Sequence, residues 1–508
     1  MRKPSCLLLS LAVSGLMLTP VSAFSEIGAA PAEVVEVNAS APTTPFPHFW
    51  EHMFGSCRAT LSLRESYRND LRKTKSIVDA RYVRFHGIFD DDVAVYDEDK
   101  DGKPAYNFTY VDQIYDGLLA NGIRPYVELS FMPKKLASTP TEFPFWYKPI
   151  VTPPKDWSQW GDLISAFSKH LIDRYGIDEV SKWYFEVWNE PNIGFWLGEP
   201  KESTYYQLYD VTAQAIKKVN PRLRVGGPST AQAAWIDRFI AHCSNNHVPV
   251  DFVSTHVYAN DTSKDVFGTD ENIPRRDMVA RAVKKVHDQV NASAMPNLPI
   301  VWSEFNASFF NEVPVTDSPF MGPWLANTVR QCDGLTNEMS LWTFSDVFEE
   351  GGVPDKPFYG GFGLIATGSI PKAAFNAMAL LHQLGNERLP LQSTSALATR
   401  APDGSLAIAA WNYVPPGETG APKQIKLHLS GVKPQQNCTV QIVDAQHGSP
   451  LAKWEAMGKP NFPTREQQKE LLAAGTLPLP QTQELSGGDS PTLTLVLQPH
   501  SLALVRVK

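Results

Sequence analysis

A chain of 508 residues, 43% hydrophobic and 20% charged, holds enough apolar material for a large core and is too long for one small domain. Its formal charge of -8 leaves no basic stripe to neutralise phosphates, which argues against a nucleic-acid partner. The 13 Trp and 16 Tyr suit sugar stacking and core packing equally.

In chain order, the first predicted element is a targeting segment. Arg2 and Lys3 precede an apolar run over residues 6–18, and Val21-Ser22-Ala23 supplies a small-residue cleavage pattern. The run is short for a membrane span, so residues 1–23 read as a signal peptide, cleaved after Ala23, and the mature chain as exported to the periplasm or the extracellular space. Cys6 opens the apolar run, away from where a lipid-modified cysteine sits. Cys57, Cys243, Cys332 and Cys438 remain, scattered and without a C-x-x-C pair, which argues against a zinc site or a dense disulfide framework. Nothing later in the chain reads as a transmembrane helix.

Residues 24–45 are rich in Ala, Pro, Ser and Thr, with one β-like run at Val34-Val35-Glu36-Val37. Eight short apolar runs follow, over residues 49–57, 81–86, 124–131, 183–189, 223–228, 252–258, 299–305 and 339–345. Near-continuous apolar runs are what a parallel sheet covered on both faces requires. Residues 156–175 carry Trp160, Leu163, Ile164, Phe167 and Leu171 at helical spacing, and residues 205–219 repeat the pattern until Asn220-Pro221 ends it. The fold class is therefore α/β, a (β/α)8 TIM barrel over residues 46–384. A doubly wound sheet is the rival, but no Gly-rich phosphate loop follows the first strand. Residues 385–508 change to short alternating runs at 406–411, 424–429, 439–443, 493–497 and 502–507, broken by Pro and Gly, the texture of an accessory C-terminal β-sandwich. Residues 466–473 form a short helical candidate, and the 34–37 run can add a strand to the sandwich.

Glycoside hydrolysis needs two carboxyls, one protonated to donate to the leaving oxygen and one ionised to attack or to activate water. In a parallel barrel they belong at the C-terminal strand ends. Glu190 stands just past the fourth strand in Trp188-Asn189-Glu190-Pro191-Asn192, where Pro191 forces the chain out of regular structure. Glu304 ends the seventh strand in Ile300-Val301-Trp302-Ser303-Glu304-Phe305-Asn306. The fourth and seventh strand ends face across a closed barrel. A separation of about 5–5.5 Å there supports double displacement, and roughly 6.5–9.5 Å supports inversion. Glu186, inside its strand, has the stronger claim to a structural role. Asn189 carries an amide suited to a sugar hydroxyl. His86 and His256 end the second and sixth strands, where they either bond sugar hydroxyls or pack in the core; His52 lies within the first. They lack H-x-x-x-H spacing, so no metal is expected. Asp90-Asp91-Asp92 lacks a calcium-loop pattern and reads as a polar loop. Glu349-Glu350, after the eighth strand, is either another polar loop or a grip on sugar hydroxyls. Neither a phosphate loop nor a G-x-S-x-G elbow is present, so no cofactor is called for.

These residues resemble glycoside hydrolase family 39, and within it the β-xylosidases, over nearly the whole mature chain. The resemblance rests on His48-Phe49-Trp50-Glu51-His52-Met53-Phe54-Gly55, Met132-Pro133-Lys134-Lys135-Leu136-Ala137-Ser138, Val151-Thr152-Pro153-Pro154-Lys155-Asp156 and the Trp188 to Asn192 element. It continues through Pro249-Val250-Asp251-Phe252-Val253-Ser254, Trp342-Thr343-Phe344-Ser345-Asp346-Val347-Phe348-Glu349-Glu350 and Gly360-Gly361-Phe362-Gly363-Leu364. It implies a barrel with a β-sandwich and a retaining mechanism, with Glu190 as acid/base and Glu304 as nucleophile. It further implies sugar contacts from His86, Asn189, His256, Tyr258 and Glu349. The expected substrate is a xylo-oligosaccharide or related β-glycoside, cut at its non-reducing end. α-L-Iduronidases share the family, but the Phe348-Glu349-Glu350 segment would repel a substrate carboxylate. An exopolysaccharide endo-hydrolase and a non-catalytic carbohydrate-binding protein are the other readings; two strand-end carboxyls are more than a binder needs. The second strand ends in Arg84-Phe85-His86-Gly87, where family members commonly have Gly before the His. Residues 259–275 depart from the pattern, which leaves the leaving-group subsites open.

Overall fold

The computed structural model describes residues 32–432, 437–487 and 491–507, within one compact unit, Ala32–Lys508; the expected signal peptide lies outside the described residues. Eight parallel strands close into a barrel: β1 (Met53–Arg58), β2 (Tyr82–His86), β3 (Arg124–Leu129), β4 (Tyr184–Val187), β5 (Arg224–Thr230), β6 (Phe252–Tyr258), β7 (Ile300–Asn306) and β8 (Glu338–Leu341). Each apolar run holds one barrel strand. β4 and β8 are shorter than their runs. β4 stops where Trp188 takes φ 72°, and beyond Leu341 the chain leaves the ladder to bond across, with Thr343 N–H donating to Phe362 O and Asp346 N–H to Ile365 O.

Every residue of β6 and β7 is buried, because helices cover the outer face and side chains fill the inside. The helix Trp157–Tyr175 is capped by Asp156, whose side chain accepts from the Ser158 and Gln159 amides at 2.8 and 3.2 Å. Its apolar stripe, Trp160, Leu163, Ile164, Phe167 and Leu171, faces the core. The helix after β4 runs Lys201–Val219, starting a turn before its apolar spacing does because Pro200 sets its N-terminus. Trp160 Nε1 donates to Thr212 Oγ1 at 2.8 Å and joins the two helices.

Inside the barrel, strand alternation stacks the layers. Met53, Tyr126, Phe252 and Val301 make an apolar floor, with Tyr82 and Tyr184 against it. Two residues along β2 from Tyr82 comes Arg84, and two further comes His86; Tyr126 of β3 is likewise followed by Glu128. The interior thus turns from aromatic to charged toward the C-terminal mouth.

A seven-stranded sheet, with Leu406–Trp411 and Leu502–Val507 at its centre, faces a three-stranded sheet of Glu33–Asn38, Lys423–Ser430 and Thr492–Leu497. The N-terminal run lies in the smaller sheet, parallel to Lys423–Ser430, with Glu33 opposite Ile425. Ala398, Ile408 and Val505 of the larger sheet pack on Val35, Leu427 and Leu495. Its other face, with Leu397, Trp411 and Leu502, belongs to the barrel's own core. The helical candidate near residue 466 runs Arg465–Ala474, with a capping box at Thr464 and Gln467. Cys57, Cys243, Cys332 and Cys438 are buried and free of disulfides, and among the described residues no helix is long and apolar enough to cross a membrane.

Candidate active site

The end of β4 is shaped by its own sequence. Trp188 and Glu190 both take positive φ, 72° and 44°, a conformation that L-residues keep only when their surroundings enforce it. Three contacts do so. Trp188 Nε1 donates to Phe195 O at 2.7 Å, Glu190 N–H to Ser229 O at 2.8 Å, and Asn192 bonds the Ala231 backbone through both ends of its amide. Asn-Glu-Pro-Asn thus pins the β4 exit to β5 and turns Glu190 into the mouth.

Beneath it lies Arg84, fully buried. Its guanidinium donates to Glu186 Oε2 and Glu304 Oε1, both at 2.6 Å, and lies 2.7 Å from Glu128 Oε2. It also donates to Asn189 Oδ1 at 2.9 Å, which fixes the amide's orientation. One cation among three carboxylates holds the floor of the site negative. His86 takes up part of that charge: its Nδ1 lies 2.8 Å from Glu128 Oε2, and Glu128 raises its pKa although burial opposes. Glu128 is itself held below the usual carboxylate range by Arg84 and His86, against the opposing effect of burial.

The two candidate carboxyls stand close. One oxygen of Glu190, one of Glu304 and a nitrogen of His256 lie within 4.8 Å of one another. Burial raises both carboxyls, and Glu190 goes furthest, because the charges of Glu304 and Asp261 add to its burial. In Glu304 burial is opposed by Arg84, by His86 and by the Tyr258 hydroxyl, which donates to Oε2 at 2.6 Å. The shared proton therefore resides on Glu190. His256 Nδ1 sits 3.0 Å from Glu190 Oε1 and its Nε2 3.1 Å from Ser303 Oγ; burial and the charge of Arg84 keep the ring neutral. Since a hydroxyl can donate or accept, Ser303 permits either tautomer, and His256 can accept from protonated Glu190 or donate to ionised Glu190.

A cavity of about 280 Å³ opens over this pair. His86, Asn189, Glu190, Tyr258, Glu304, Trp342 and Glu350 line it, together with Ile193, Gln232, Asp261 and Phe309. Five of the seven residues named from sequence line it. Two do not. His256 is fully buried, its ring nitrogens meeting Glu190 and Ser303. Glu349 is 1% exposed and turned away, its carboxylate paired with Arg64 at 2.6 Å and Arg58 at 3.5 Å. Its neighbour Glu350 faces the cavity, 3.8 Å from His86 Nε2, and burial pushes its pKa up to about 8. Of the two adjacent glutamates, Glu350 and not Glu349 lines the cavity.

Sequence reasoning missed Arg84, Glu128, Trp342 and Asp261, and chose Glu349 over its neighbour Glu350. Arg84 carried a signal, since a lone arginine between Val83 and Phe85 in a buried strand must find anions. The spacing of Glu190, His256 and Glu304 would also suit a divalent cation, but Arg84 and the Tyr258 hydroxyl already bond the two oxygens of Glu304. A second His–Glu–His group, His48, Glu51 and His382, has Glu51 bonded to both imidazoles at 2.7 and 2.8 Å, away from the mouth.

A closed parallel barrel with two close, unequally protonated glutamates at its C-terminal mouth is the apparatus of a glycoside hydrolase. The model of glycosyl hydrolases family 39 matches residues 33–483, and the chain belongs to that family. It is similar to a β-xylosidase of Geobacillus stearothermophilus, 38% identical over 91% of this chain and 93% of that protein, and to one of Caldicellulosiruptor saccharolyticus, 37% identical over 91% and 95%. It also resembles the crystal structure of a monomeric β-xylosidase from Caulobacter crescentus CB15, with TM-score 0.85 and 34% identity over 94% of this chain and 99% of that one.

Proposed function

We propose that the chain is an exo-acting, retaining β-xylosidase that releases xylose from the non-reducing ends of xylo-oligosaccharides. The observation that carries retention is the approach of Glu190 and Glu304 to within 4.8 Å between their nearest candidate oxygens. That limit lies on the short, retaining side of the two carboxyl spacings, below the roughly 6.5–9.5 Å of inversion. Identity to two β-xylosidases over nine-tenths of the chain supports the sugar.

Glu304, kept available by Arg84 and Tyr258, attacks the anomeric carbon of a terminal xylose. Glu190 gives its proton to the glycosidic oxygen as that bond breaks, which leaves its carboxylate ionised beside His256. Water next attacks the glycosyl–Glu304 ester, Glu190 takes its proton back, and β-xylose leaves. Asn189, His86 and Glu350 border the sugar's place and supply its hydrogen bonds. The backbone bond from Trp146 N–H to Glu350 O, 2.8 Å, ties the loop after β3 to the loop after β8 beside that place, which supports a terminal sugar rather than a passing chain. The basic start, apolar run and Ala23 cleavage pattern of residues 1–23 support work outside the cytoplasm.

Proton NMR of xylobiose and 4-nitrophenyl β-D-xyloside hydrolysis tests the reading. The β-anomer of xylose should form first. First appearance of the α-anomer overturns retention, and no release from either substrate overturns the activity.

A further inference from the structure

The double displacement leaves one carboxyl of the cavity without a task. Asp261, three residues past the end of β6, is 9% exposed and shares the cavity with Glu190, Gln232 and Ile193. Its Oδ2 accepts the Tyr258 amide at 2.7 Å. Among the described residues its Oδ1 has no hydrogen-bond partner, and no basic side chain pairs with it. A buried carboxyl held by one oxygen, with the other free toward a cavity, is an acceptor awaiting a donor.

Its position says which donor. Glu190 hands its proton to the glycosidic oxygen, so the departing sugar lies on Glu190's side, away from His86, Trp342 and Glu350. Asp261 lines the same cavity near enough to Glu190 for its charge to raise that carboxyl, which puts it beside the proton donor. We propose that Asp261 selects the leaving group: its free oxygen accepts a hydrogen bond from a hydroxyl of a neutral leaving sugar, and its charge rejects leaving groups bearing a carboxylate, such as a uronic acid. This rests on the β-xylosidase reading and adds the leaving-group preference to it.

The charge is conditional. Burial, with the nearby charge of Asp265, pushes Asp261 up to about 7. The groups facing it are Tyr258 of β6, Asp265 of the helix Ser263–Phe267 and Glu190 beyond β4, none of them cationic. Above pH 7 the carboxylate repels an anionic leaving group; below it the neutral acid does so weakly. Glu190 titrates as well, but both kinds of substrate depend on its proton, so a ratio of their rates cancels that effect.

The test compares 3-carbamoylphenyl β-D-xyloside with its near-isosteric partner, 3-carboxyphenyl β-D-xyloside. In the wild-type protein the ratio of kcat/KM, neutral over charged, should rise about fivefold or more between pH 5.5 and pH 8. In Asp261→Asn the ratio should stay flat, and in Asp261→Glu the rise should persist. Asn keeps the bond to the Tyr258 amide, and a thermal-unfolding midpoint close to wild type confirms the fold. A pH-dependent ratio unchanged in Asp261→Asn overturns the proposal while leaving the β-xylosidase reading intact. Failure of the wild-type protein to cleave the neutral xyloside overturns that reading itself.

Discussion

The two sides of the barrel mouth are built on opposite plans. On the β2–β3–β4 side, Arg84, Glu128, Glu186 and His86 lock one another at 2.6–2.8 Å, and every group has a charged partner. On the β5–β6 side, Gln232 and Asp261 stand at the cavity with few partners of their own. The locked side fixes where Glu304 and Asn189 point. In the proposed reaction it holds the sugar to be cleaved, and the open side meets the leaving group. Precision is concentrated where the reaction always happens, and latitude where the substrate varies.

Removing the nucleophile should break the locked side's purpose most severely. Glu304→Ala is expected to lower kcat on an aryl β-xyloside by about 10⁴-fold or more, and azide should restore turnover with α-xylosyl azide as product. Chromatography of the azide reaction checks it, and a β-azide product would speak for a different nucleophile.

Glu190→Gln should lower kcat/KM on xylobiose by about 10²–10⁴-fold, and less on aryl xylosides whose leaving group needs no proton. The same variant separates function from stability. Because the folded protein holds the Glu190 proton more tightly than the unfolded chain does, native stability is full below the ordinary carboxylate range and is lost as pH rises through the elevated value. Glu190→Gln should therefore unfold at a higher temperature than wild type, with a larger gap at pH 8 than at pH 4. Calorimetry at both values reads it.

Arg84→Met asks whether the lock is electrostatic. It strands three buried carboxylates and should cost about 3–5 kcal/mol in urea unfolding, as well as activity. A smaller pair of changes compares neighbours. Glu350→Gln should raise KM severalfold by altering one hydrogen bond to sugar, and Glu349→Gln should leave KM alone while costing about 1–3 kcal/mol through its arginines. Equal effects on KM would erase the distinction drawn between them.

Much of this arrangement was legible in the chain. Eight apolar runs gave eight barrel strands because burial on both faces leaves an unbroken pattern, and the strand ends pointed to Glu190 and Glu304. Glu349 was misread because the ladder ends at Leu341: past it no two-residue alternation tells which of two adjacent glutamates faces inward. His256 stood at a strand end as expected, yet the β6–β7 register shifts between Thr255 and His256, which re-aims the ring at Glu190. Asp261 lies in a loop with no periodicity to read, and only the cavity identifies it.

The pairing of Glu33 with Ile425 has a consequence in time. This first described strand emerges long before its one neighbour in the small sheet among the described residues, Lys423–Ser430, is made. Until then its apolar residues Val35 and Val37 have no sheet to join, and the outer face of the seven-stranded sheet stays uncovered. Closure of that sheet is thus a late, long-range event, one that holds the newly made chain open until nearly all of it has arrived.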